Sequence, residues 1–191
     1  MNRTRIELQE MGTGDAPRDV LILAESAGRA MLDTIECADL RRLVASWSAF
    51  AADPETALPR WASFSPAIFR TMLPKICVLK VGRDGMEYSL SGGHANDYLN
   101  GGRSLSVEKM RRDPGRRGEF VDLHARVTAA VQHRAAVYVR KAVVWQASRY
   151  VEYETVLLPF APEGGCQRVL QPVSARIRRT LPNSCKARGA A

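Results

Sequence analysis

The alternation of apolar and polar residues divides the chain into a helical front and a strand-rich remainder. In LRRLVASWSAF, the residues Leu40, Leu43, Val44, Trp47 and Ala51 recur at spacings of three and four, the stripe of an amphipathic helix. Asp39 is its expected N-cap, and Asp53-Pro54 its stop. Before it, VLILAESAGRAML fits either a short strand or the start of a helix. ALPRWASFSPAIFRTMLPKI is broken by Pro59, Pro66 and Pro74, and Ser65 before Pro66 predicts an N-cap with one or two turns behind it. From Ile76 the period changes to two. Strands are expected near 76–81, 86–91, 137–145, 150–159 and 167–173, with Arg83-Asp84-Gly85 and Gly164-Gly165 as turns. Between the second and third of these strands, EFVDLHARVTAAVQHRAA carries Phe120, Leu123, Val127 and Val131 at helical spacing.

These elements predict an α+β fold: a five-stranded antiparallel sheet with helices on one face and N-terminal helices packing on or beside it. The helical crossover after the second strand lets the first strand pair centrally with the last. The division follows the pattern: a flexible arm over 1–19, an N-terminal helical segment over 20–56, the main domain over 57–175 and a basic, disordered tail over 176–191.

The segments also resemble the small PAS-like proteins common in alphaproteobacteria. The resemblance rests on Ser46-Trp47 in the helix, LPRWASFSP at Leu58–Pro66, Leu73-Pro74 before the first strand, and YSLSG at Tyr88–Gly92. It rests also on Glu154 followed by Leu157-Leu158-Pro159-Phe160 before a hairpin turn. Ser89 stands where that family has an arginine, and the segment from Gly93 to Ser104 is short, with Asn100-Gly101-Gly102. Both departures touch the side where a PAS ligand normally sits. The resemblance covers about residues 40–174 and implies a PAS-like sheet and a signalling or adaptor role.

Composition and charge narrow the chemistry. The chain has 191 residues, 46% of them hydrophobic, and a formal net charge of +8. No apolar run approaches the roughly 20 residues that span a bilayer, and no secretory signal is read, so a cytoplasmic protein is expected. The charge excess sits in Lys109, Arg111, Arg112, Arg116 and Arg117, a candidate anion-binding patch, and in the tail from Arg176. These patches make nucleic acid a weakly supported partner.

No catalytic residue and no metal site is identified, and no motif requires a cofactor. Cys37, Cys77, Cys166 and Cys185 show no zinc or redox spacing, and HExxH, GxGxxG, GK[ST] and GxSxG are absent. His124 borders an apolar face and His133 sits near a helix end. Glu152 and Glu154 face one side of a strand and form either an acidic strip or part of an exposed sheet face. A candidate polar pocket comprises Tyr88, His94, Asn96, Asp97 and Tyr98. A candidate interface comprises Leu43, Trp47, Tyr138, Trp145 and Tyr153, where aromatic side chains supply contact area. The expected function is a non-enzymatic sensory or protein-interaction module, self-associating as a homodimer and possessing a signalling partner. The alternatives are a basic nucleic-acid-binding regulator and a small α+β enzyme with a pocket near His94.

Overall fold

The structure, a computed structural model, describes residues 8–9, 20–27, 31–50, 52–100, 104–146 and 149–178. Helices α1 (Ala38–Ala49), α2 (Gly93–Asn100), α3 (Val107–Arg112) and α4 (Arg117–Gln132) accompany strands β1 (Leu8–Gln9), β2 (Val20–Ala27), β3 (Ile76–Gly82), β4 (Gly85–Ser91), β5 (Val137–Gln146), β6 (Arg149–Pro159) and β7 (Gln167–Arg178). The fold is α+β. The five expected strands form an antiparallel array, β5-β6-β7-β3-β4, in which the first of them, β3, pairs with the last, β7. β2 and β1 extend this array beyond β5 into a seven-stranded sheet.

The period-two pattern sorts side chains to the two faces. Tyr138, Val156, Leu158, Leu170, Ile76 and Val78 join Met31, Ile35, Leu40, Leu43 and Val44 in one core under α1. Leu79, Val137, Val139, Leu157 and Val169 join Met110, Leu123, Val127 and Ala130 in a second core under α3 and α4. Each fully buried aliphatic side chain in these layers is worth about 1.5–3 kcal/mol of transfer free energy. The aromatics of LPRWASFSP line the first core. Trp61 stacks on Phe64 with centroids 5.2 Å apart, Phe64 stacks on Phe69 at 5.5 Å, and Trp61 meets Phe160 edge-on at 5.0 Å.

Two glycines bear on the path of the chain around β4. Gly85 closes the β3–β4 hairpin at φ +122°, a backbone region that side chains disfavour. At Gly92 a Cβ would lie 2.3 Å from the carbonyl oxygen of Pro74. The YSLSG glycine is therefore where the chain leaving β4 passes against the Leu73–Lys75 3-10 turn.

Several expectations are corrected. The 20–56 segment is not wholly helical: VLILAESA is a strand, and its register runs from Val20 opposite Val143 to Ala27 opposite Val137. An apolar run of this length satisfies either period, and the open edge of β5 decides between them. Within the 1–19 arm, Leu8–Gln9 pair with β2; its other residues lie outside the described set. The N-cap of α1 is Cys37 rather than Asp39, which lies in the first turn, and Ser65 makes no side-chain cap to the 3-10 turn Pro66–Phe69. β7 continues to Arg178 because β6 is long enough to pair with it, Tyr150 opposite Arg178; the tail beyond Arg178 lies outside the described residues. The residues on either side of position 57 share one core, since Leu40 and Leu43 pack with Phe69 and Phe160.

Candidate functional site

Two features gather around α1. The first is a polar tie between the helix and the sheet. The start of α1 lacks a side-chain cap of its own, which leaves amide donors to be satisfied. Glu154 on β6 supplies the acceptor: its carboxylate receives the N–H of Cys37 at 2.8 Å and that of Glu36 at 3.1 Å. The Tyr138 hydroxyl donates to the same carboxylate at 3.2 Å. Beside it, Arg140 pairs with Glu152 and Glu36, and Arg176 approaches Glu36 at 3.8 Å. Burial, then the neighbouring Glu154 charge, push the Tyr138 phenol above its ordinary pKa. Glu152 and Glu154 are each 4% exposed, which corrects the exposed-face reading. Hydrogen bonds hold the Glu154 carboxylate and the ion pair with Arg140 holds that of Glu152, so both anchor the structure.

The second feature is a cavity of about 350 Å³ at the other end of α1, lined by Val44, Trp47 and Ser48 of the helix, by Met31, Leu32, Phe50, Ala52, Ala57 and Pro59 before and after it, and by Arg134–Ala136. The walls are held from several directions. The Trp47 indole N–H donates to the Pro159 carbonyl at 3.0 Å, and the Ala161 N–H to Pro59 at 2.8 Å. The Asp53–Leu58 loop closes on itself through the Ala57 N–H to the Asp53 carbonyl, 2.8 Å, and the Asp53 N–H to the Leu58 carbonyl, 2.7 Å. The Asp53 carboxylate accepts the amides of Glu55 and Thr56 and pairs with Arg60 at 3.3 Å. Desolvation opposes its ionisation, yet the Thr56 and Glu55 amides, the Thr56 hydroxyl and Arg60 outweigh that and hold its pKa below the ordinary value.

The backbone at this cavity is unusual. Among the described residues, the non-glycine positions with positive φ are Ala57, at 57°, and Arg134, at 51°, and both line it. Arg134 ends α4 where glycine usually stands. Its N–H donates to Val131 at 3.3 Å and the Ala135 N–H to Ala130 at 3.1 Å, the paired bonds of a Schellman cap. The Arg134 guanidinium donates to the Glu55 carbonyl at 3.3 Å, joining the loop to the end of α4. Neither position was singled out from the sequence, because nothing in ALPR or HRAA marks a left-handed backbone.

The residues expected to form a polar pocket are placed as follows, as far as they are described. The Tyr88 hydroxyl donates to Gln171 at 3.1 Å, inside the sheet, and burial, then the nearby Cys77, raise its pKa. Asn96 accepts the Leu105 N–H at 3.2 Å and braces a loop. His94 and Asp97 are exposed on α2. The side chains of Tyr98 and, in the expected interface, Trp145 lie outside the described residues. Of that interface, Leu43 and Tyr138 are 0% exposed and Tyr153 9%, so the chain's own cores hold them. Trp47 packs beside the first core.

The basic patch is partly neutralised by the acids that flank it. Arg111 and Arg112 pair with Glu108 at 3.0 and 2.7 Å, and Arg116 pairs with Glu119 at 2.8 Å. Lys109 and Arg117 are exposed. His124 is exposed with its ring 5.9 Å from Phe120, and His133 caps α4. Cys37 and Cys77 are buried free thiols and Cys166 is half-buried; Cys185 lies outside the described residues. Among the described residues, no helix is long and apolar enough to cross a membrane, and no cluster of three or more His, Cys, Asp or Glu is arranged to hold a metal ion. In comparisons with known proteins, no family model, no curated protein and no solved structure matches the chain.

Proposed function

We propose that the chain is a non-enzymatic sensory or protein-interaction module, built on a PAS-like domain and acting as a homodimer in bacterial signalling or regulation. The observation that carries this reading is the strand order β5-β6-β7-β3-β4, with a helical crossover between β4 and β5 lying on one face. That order is the one the sequence resemblance implies. Because one fold hosts many functions, the surface must supply the rest of the case. Among the described residues, β4 ends the sheet and no further strand pairs with its outer edge. Leu90 on that strand is 50% exposed and Leu73 is 37% exposed. The two lie near each other, since the Leu73 carbonyl abuts Gly92, just past Leu90. An apolar pair beside a free edge favours pairing with another strand, and a second copy satisfies it with two-fold symmetry.

Sedimentation equilibrium across a wide concentration range tests the proposal. A dimer is expected, dissociated by Leu90→Glu and left intact by Val121→Glu, which alters an exposed apolar residue on α4. A single species of monomer mass at high micromolar concentration overturns it, as does a dimer indifferent to Leu90→Glu.

A further inference from the structure

The cavity beneath α1 has no part in pairing along β4, and its composition specifies an occupant. We propose that it binds a small amphipathic carboxylate, an apolar body with a single acid group, whose acid is held by Arg134. The volume of about 350 Å³ lies at the small end of the roughly 300–1,000 Å³ range of ligand sites. Met31, Leu32, Val44, Trp47, Phe50 and Pro59 give walls suited to a hydrocarbon or aromatic body.

Charge complementarity fixes the acid. Arg134 is the ionisable residue among the described residues lining the cavity, and it is exposed to solvent. Its hydrogen bond within the described residues is to a backbone carbonyl, that of Glu55. A planar guanidinium so placed keeps N–H donors free in the geometry that carboxylates accept. The backbone gives a separate argument for the same residue. The φ of +51° at Arg134 is a position where glycine is favoured and a long side chain is not. An arginine there, at a cavity whose facing loop also turns through a left-handed residue, Ala57, fits the clustering of backbone strain at ligand sites.

Isothermal titration calorimetry with 4-phenylbutyrate and its uncharged analogue 4-phenylbutan-1-ol tests the site. The acid is expected to bind at least about threefold more tightly than the alcohol, the weight of an ion pair to an exposed guanidinium. Arg134→Gly, which suits the backbone, is expected to fold normally and lose that preference, while Arg134→Lys keeps part of it. Equal affinity for acid and alcohol, unchanged binding by Arg134→Gly, or no binding of the acid at millimolar concentration overturns the proposal. Each of these results leaves the dimer measurement untouched, so the two readings fail separately.

Discussion

The carboxylate of Glu154, in the middle of β6, receives the backbone N–H of Cys37, the residue that caps α1, across 117 positions of sequence. A helix whose own first residues supply no side-chain cap is thus started by the sheet it covers. Glu154→Ala leaves the Cys37 and Glu36 amides and the Tyr138 hydroxyl without their acceptor. Its expected cost is about 3 kcal/mol, and that of Glu154→Gln about 1–2 kcal/mol. A urea titration measures both. Amide exchange at Cys37 should quicken more than exchange in β6, whereas uniform quickening would mean that the tie is not local to the helix.

Two adjacent glycines make a paired test. Gly92→Ala forces a Cβ to 2.3 Å from the Pro74 carbonyl, while nothing lies within 4 Å of a Cβ at Gly93. Gly92→Ala is expected to destabilise by about 2–3 kcal/mol. Gly93→Ala, at the start of α2, should change stability by less than about 0.5 kcal/mol or raise it slightly. Similar denaturation midpoints for the two variants would contradict the close approach.

Arg134→Gly relieves a left-handed backbone at a residue that makes one exposed 3.3 Å hydrogen bond. Its stability should rise by about 0.5–1 kcal/mol. A melting temperature clearly below that of the parent would show that the guanidinium bond to Glu55 outweighs the backbone relief.

Alkali should unfold the protein through its buried weak acids. Burial pushes the Cys77 thiol from 9.0 up to about 12, against a small opposing effect of the Gly92 N–H. A raised folded pKa favours the protonated form in the fold. The contribution of Cys77 is therefore complete below about pH 9 and lost as pH climbs towards 12. Tyr88 and Tyr138 act in the same direction, from their ordinary value of 10.0 upward. The urea midpoint should fall steadily above about pH 9, and Cys77→Ala should flatten the first part of that fall. In the native protein Cys166 should alkylate readily and Cys77 only on unfolding; matched rates at the two thiols would contradict the sealed position of Cys77.

The five-strand array was legible because Val156 and Leu158 face one layer while Leu157 faces the other, and period two reads directly from sequence. β2 was ambiguous because VLILAESA is apolar without strict alternation, so the choice lay with a partner strand distant in sequence, β5. Glu152 and Glu154 looked like a wet face because a charged residue is usually exposed; their partners, Arg140 and the amides of α1, come from elsewhere in the chain. The basic patch looked stronger in sequence because Glu108 and Glu119 flank the stretch that was read, and helical spacing brings them back to Arg112 and Arg116. The cavity left no trace, since it is made by the end of α4, a loop and the C-terminal half of α1 meeting in space, and its special backbone positions carry alanine and arginine rather than glycine.

The Glu154 cap also sets the timing of assembly. At about 5–20 residues per second of synthesis, the 117 positions between Cys37 and Glu154 amount to roughly 6 to 23 seconds, during which the start of α1 waits for its acceptor. The Tyr88–Gln171 bond closes across 83 positions, so β3 and β4 wait likewise for β7. Until those partners leave the ribosome, the thiols of Cys37 and Cys77, sealed in the finished fold, are open to oxidants. The burial of these two cysteines is therefore completed only after β6 and β7 have been made.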